Sequence, residues 1–545
     1  MAVVALAAVT ASANLAGAQA VAGIGDDAIP LPRGGYRFVL GGMWNDYRAV
    51  FTPGGATGKR DLLSTLATDN LGVTLLPQLG AAQTGLRQLT GNSSFVLSLG
   101  TLEAAGEVRQ SIAPLSVDYG ITKRISVRLL VPYAESRDAS QLVLNRTGGS
   151  ANVGRNPALV GDGGAARAAN GALLTQIESA RTALSAELSR CENIAASGCE
   201  TIRANPAGAQ ALLSRAQQTR SNLLAVYGGS SGAGAPVVPT LGSTLHSAVV
   251  ATIGALRSDF NAYGIASIPE SAQPAPATTV LGPGSIGTVV GDTSFGIGYQ
   301  RLGDTRRAGI GDVDLTATVL LLDTFKGDQV RRLLTPGRGV RSNVTVGWRF
   351  GTAGADRTED AFDVPIGEGA NALLVRSTTD LLLNKSAWIS ATVRATMPMA
   401  DRMAVVVPFR DEATTFASPV SVADAQRTLG NRFDVELAPR IAVGQFFGVS
   451  AAYLVRHWSA DVIDATDPTS ITLRAQRLEV PARTLSAAAF GVTFSTLASY
   501  ARGRSRFPAE VMYTHTTPLA ASGATLPAVS SDRLELRIYT GFPRR

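Results

Sequence analysis

The chain has 545 residues, room for several soluble domains or one large membrane barrel. Hydrophobic residues make up 45% and charged residues only 17%, against a usual value near a quarter, with 57 glycines and a mean hydropathy of +0.14. This excludes a disordered chain and is too poor in charge for an ordinary soluble enzyme, while the absence of a ~20-residue apolar run beyond the N-terminus excludes a helical membrane protein. The net charge of +7 comes from 49 basic against 42 acidic residues; the lysines are Lys59, Lys123, Lys326 and Lys385, leaving 45 arginines. Apart from Arg331, Arg332, Arg338 and Arg341, and Arg502, Arg504 and Arg506, the basic residues are dispersed rather than gathered beside aromatics, so no nucleic-acid partner is expected.

In chain order, Ala2 to Val9 is a short apolar stretch, and Ala18-Gln19-Ala20 fits a small-residue cleavage site. Residues 1–20 therefore predict a signal peptide, although no basic residue precedes the apolar stretch. Strands 1 to 3 are expected within 35–139, at 35–51, 95–121 and 125–139. The strongest signal is Ala113, Leu115, Val117, Tyr119 and Ile121, resuming after Thr122-Lys123-Arg124 as Ile125, Val127, Leu129, Val131 and Tyr133. Alternation of period two interrupted by a short polar turn is a β-hairpin. With Ile121 opposite Ile125, Asp118 faces Arg128 on the polar surface.

Between 140 and 309 the period lengthens. Leu173, Ile177, Ala180, Leu184 and Leu188 recur at three and four, as do Leu212, Ala216, Leu223 and Tyr227 after the cap Asn205-Pro206, and Leu245, Val249, Leu256 and Phe260 follow beyond a Gly-rich linker. A helical insertion is expected, with a hairpin around Cys191 and Cys199. Two cysteines eight positions apart in an exported chain predict a disulfide. No metal site is expected, because His246, His457 and His515 are distant in sequence.

From 310 to 542 alternation returns and gives strands 4 to 12 at 310–324, 341–351, 373–383, 387–397, 431–441, 446–457, 484–496, 506–515 and 532–542. The fold class is therefore an all-β membrane protein, an antiparallel transmembrane β-barrel of about twelve strands with a helical insertion in a long extracellular or lumenal loop. The even count, the crossing lengths and the alternation of long with short connections support a barrel over a soluble sandwich. Its polar face supplies lumen-lining candidates: Asp118, Asp312, Asp314, Asp434 and Glu436 with Arg128, Arg349, Arg394, Arg440 and Arg537. A wall so evenly mixed should cross-link itself and leave little net field, so permeation should depend weakly on charge.

The runs LSVDYGITKRISVRLLVPY, GIGDVDLTATVLLLDTF and LELRIYTGF resemble Gram-negative outer-membrane channel proteins, loosely the long-chain fatty-acid and aromatic-hydrocarbon uptake barrels. The resemblance covers the strand-rich half of the chain. It implies residence in the cell outer membrane, lipid, lipopolysaccharide and the barrel assembly machinery as partners, and passive uptake of small, often apolar, molecules whose identity the sequence does not name. The sequence departs from it where Pro543-Arg544-Arg545 follow the terminal aromatic Phe542, and in having no N-terminal hatch that matches. The insertion is expected to act as plug or cap. Two alternatives are a non-conducting anchor displaying a helical adhesion module and a barrel hydrolase. The hydrolase is disfavoured because the chain has no G-x-S-x-G, HExxH or P-loop, and His457 and His515 read better as girdle residues than as bases. No catalysis and no cofactor are expected.

Overall fold

The computed structural model describes residues 27–541, apart from 30, 147–148, 194–195, 292–302, 326–337, 355–363, 385, 408–420 and 465–476. The leader expected over 1–20, Lys326, Arg331, Arg332, Lys385 and Phe542 lie outside these residues.

Twelve antiparallel strands close on themselves. They are β1 (Tyr36–Tyr47), β2 (Leu102–Gly120), β3 (Ile125–Leu144), β4 (Thr305–Ile310 and Val313–Asp323, divided by Gly311 and Asp312), β5 (Gly339–Phe350) and β6 (Ala372–Leu382). β7 (Ala387–Pro398), β8 (Arg432–Val443), β9 (Phe447–Trp458), β10 (Arg483–Ser495), β11 (Ala509–Ser522) and β12 (Ser530–Thr540) follow. Each pairs with its neighbour in sequence, and β12 closes on β1 in a register running from Tyr36↔Thr540 to Asp46↔Ser530. Closure leaves no sheet edge, as a strand structure in lipid requires. No helix of the described residues is long and apolar enough to cross a membrane.

Alternation decides which side each residue faces. Phe38, Leu40, Leu115, Val117, Leu129, Leu315, Val393, Val435, Phe490 and Ile538 all lie exposed on the outer wall, an apolar belt that water would not tolerate and lipid does. Aromatics gather at one rim, where Tyr36 packs on Tyr119 with ring centroids 4.8 Å apart and Phe447 on Phe494 at 5.4 Å. A closed barrel with an even number of strands, a greasy belt and a polar interior is an outer-membrane barrel. Its short turns, such as 121–124 and 444–446, mark the periplasmic end, and the long connections the outer end.

β2 and β3 have 19 and 20 residues, about twice a membrane crossing, and the open end of their paired ribbon, at Leu102 and Leu144, projects beyond the outer rim. On that stalk rests a helical module made of α1 (Gly80–Thr90), α2 (Gly164–Cys191), α3 (Pro206–Tyr227) and α4 (Thr244–Ala262). Its apolar core joins Leu86 and Leu89 of α1, Ile177 and Leu184 of α2, Leu212 and Leu223 of α3, and Val249 and Leu256 of α4 to Tyr47, Leu102, Val108 and Leu144 at the strand ends. Asn205 caps α3 by accepting from the N–H of Gly208 at 2.8 Å, with Pro206 in its first turn, and Cys191 and Cys199 are disulfide-bonded.

The structure differs from the sequence expectation at 95–101, read as the start of the second strand. Leu97 and Leu99 are fully buried in the helical core, and ladder pairing of β2 begins at Leu102. Period two describes any extended backbone with one buried side, whether it packs under a helix or pairs in a sheet. α1 was not anticipated at all.

Candidate functional site

The pleat turns nine of the ten candidate residues inward, and the tenth, Asp312, lies at the break in β4. Asp118 meets Arg128 directly across the β2–β3 register, and Arg37 joins them from β1, its Nε 2.5 Å from Asp118. Arg349 is bound by Asp314 at 2.8 Å and by Glu368 at 3.2 Å, and Arg394 by Glu436 at 2.8 Å. Asp434 takes both guanidinium arms of Arg456 at 2.9 Å each, with Arg432 at 3.7 Å. Arg537 and Arg533 both hold Glu535. Arg440 is buried on the inner face of β8, and Asp312 sits at the break in β4.

Asp312 accepts the backbone N–H groups of Ala353 at 3.1 Å, Glu368 at 2.8 Å and Gly369 at 3.2 Å. It thereby draws residues 364–371, the described end of the connection between β5 and β6, into the lumen. Asp138 takes the N–H of Val364 at 2.9 Å, and Ile366 packs against Met43, Ile112 and Ala134 on the inner wall. Gly369 turns this loop at φ +65°, and a Cβ on Gly367 would lie 2.3 Å from that of Ala353.

A second segment enters from the periplasmic end. The Ala28 N–H donates to Asp380 of β6 at 2.8 Å, while the Asp27 carboxylate lies 3.6 Å from Arg537 of β12. β6 and β12 are six strands apart in a ring of twelve, so two consecutive residues bridge opposite walls. Leu31 packs on Tyr539 beneath them.

Within the barrel is a cavity of about 880 Å³ of non-atom space, solvent included. Val39, Pro114 and Leu130 on the adjacent strands β1 to β3 make one part of its wall apolar, and Leu374 on β6 stands apart from them. Seven arginines line it against two carboxylates, Asp314 and Glu535. The ion pairs expected across the inner wall form, and around this cavity the lining side chains among the described residues include more guanidinium groups than carboxylates. Sequence reading missed Arg376, Asp380, Arg432 and Arg456, although each shares the inward parity of its strand. It also missed the inward loop, whose trace in the sequence is the Gly- and Pro-broken DVPIGEGAN, residues 363–371.

The histidines lie elsewhere. His457 Nδ1 is 2.9 Å from Thr484, and His515 bridges Asp532 at 2.8 Å and Thr517 at 3.0 Å on the outward face of β11 and β12. His246 is buried in α4, and burial lowers its pKa. Among the described residues no cluster of three or more His, Cys, Asp or Glu could hold a metal.

No protein-family model matches the chain, and no curated protein matches it. Among solved structures, an outer-membrane channel from Pseudomonas putida F1 aligns over 95% of this chain and 99% of its own at 9% identity and a TM-score of 0.40. The Pseudomonas putida toluene transporter TodX aligns over 97% and 92% at 8% identity and a TM-score of 0.28. A FadL homologue of Pseudomonas aeruginosa aligns over 93% and 90% at 7% identity and a TM-score of 0.25. Identities this low carry no residue roles from one chain to another.

Proposed function

We propose that this chain is a channel for passive uptake of small molecules across the outer membrane, and that it carries out no catalysis. The observation behind the reading is the cavity inside a closed twelve-stranded wall, held between an inward loop above and the Asp27–Ala28 bridge below. Eight-stranded barrels can fill their interior with side chains; twelve strands enclose more than side chains fill. The apolar stretch of Val39, Pro114 and Leu130 gives a solute with an apolar body somewhere to rest, while the arginines orient its polar end.

The helical module acts in this reading as a cap on the β2–β3 stalk rather than as a plug, since its apolar residues are committed to one another and to the strand ends. Constriction falls instead to the loop held by Asp312. Lipid and lipopolysaccharide contact the belt, and the barrel assembly machinery inserts it. Liposome swelling with small neutral solutes tests the channel: the full-length protein should admit them, and complete impermeability, with the protein folded, rejects the reading.

A further inference from the structure

We propose that the lumenal cavity holds a small carboxylate, clasped on the β6–β9 side by Arg376 and Arg432; this rests on the channel reading and names the chemistry of its solute. On that side Arg394 pairs with Glu436, and Arg456 and Arg432 share Asp434. Arg376 and Arg394 stand directly opposite each other across β6 and β7, an arrangement of like charges that opposes folding unless anions lie close by. Glu436 answers Arg394. Asp434 gives both its oxygens to Arg456 and leaves Arg432 at 3.7 Å.

Arg432 shows the consequence. It is 5% exposed, its Nη2 donates to Thr396 at 3.1 Å, and its Nη1 has no hydrogen-bond partner among the described residues. A buried guanidinium N–H without an acceptor is costly, and the Arg432 side chain is one of those lining the cavity. Arg376 donates to the Thr345 hydroxyl at 3.2 Å and lines the same space. A carboxylate entering there offers two acceptors in the plane that guanidinium groups favour. The apolar patch formed by Val39, Pro114 and Leu130 on β1 to β3 borders the same cavity and provides for an uncharged body of modest size.

The test uses the full chain folded in detergent micelles, with benzoate as probe and benzyl alcohol as its neutral counterpart, binding being followed by saturation-transfer NMR. Benzoate should bind more tightly than benzyl alcohol. Arg432→Gln and Arg376→Gln should each weaken benzoate about ten-fold, the loss of one charge-assisted hydrogen bond, and leave the alcohol unchanged. Arg432→Lys, which keeps the charge, should retain more affinity than Arg432→Gln, and heat-modifiable migration certifies that each variant is folded. Equal binding of the two probes, or wild-type benzoate affinity in both folded glutamine variants, overturns the site. Swelling by neutral solutes without selective benzoate binding sinks the site and spares the channel; selective binding without any permeation sinks the channel and leaves the site standing as a binding pocket.

Discussion

Asp312 directs two carboxylate oxygens at three backbone amides of one loop, so a single side chain carries much of that loop's attachment, with Asp138 and the packing of Ile366 carrying the rest. Hydrogen bonds to a charged acceptor contribute about 1.5–3 kcal/mol each when fully made, and here they share one group. Asp312→Ala should release the loop and raise single-channel conductance, with a stability loss of roughly 3 kcal/mol in denaturant titration. Asp312→Asn, which keeps one acceptor oxygen, should fall between. Gly369→Val should act in the same direction for a different reason, since a β-branched residue at φ +65° is strained. If conductance does not change in Asp312→Ala, the loop does not limit passage.

At the level of elements, the disulfide and the buried imidazole both belong to the helical module. Converting Cys191 and Cys199 to serine should lower the helical melting transition by about 2–3 kcal/mol and leave the barrel's heat-modifiable migration as it is. His246 is buried in α4 with its Nδ1 unpartnered among the described residues, and burial holds its pKa below the ordinary value in the folded state. The unfolded chain then binds the proton more readily. Module stability should therefore be fully present above about pH 6.5, decline as pH falls through that value, and level off below the folded pKa. His246→Leu should flatten that dependence in circular dichroism melts. Much of this architecture was legible in sequence because period two with one greasy face is a strong signal for a strand in lipid, and the parity of Asp118 and Arg128 fixed a register that the structure shares. What stayed hidden was set by contacts distant in sequence. α1 has a short, glycine-containing sequence that becomes a helix by packing on α3 and α4, Leu97 and Leu99 alternate like a strand but lie beneath helices, and nothing near Val364 to Gly369 announces that Asp312 and Asp138 will draw it inward.

For the whole molecule, the division of labour between barrel and cap makes a direct prediction. Removing residues 157–268 should leave a heat-modifiable barrel whose conductance changes by less than about two-fold, because the inward loop loses the packing of Val364 on the module but keeps its bonds to Asp312 and Asp138. A large rise would show that the module itself obstructs the pore. The module must also reach the far side of the membrane. A bond between cysteines eight residues apart ties the end of one helix to the turn beside it and joins no two remote parts of the chain. A polypeptide threading outward can carry that small ring already closed, so oxidation can be complete in the periplasm before the module emerges, whereas a staple from α2 to a distant strand would have to wait for translocation to finish.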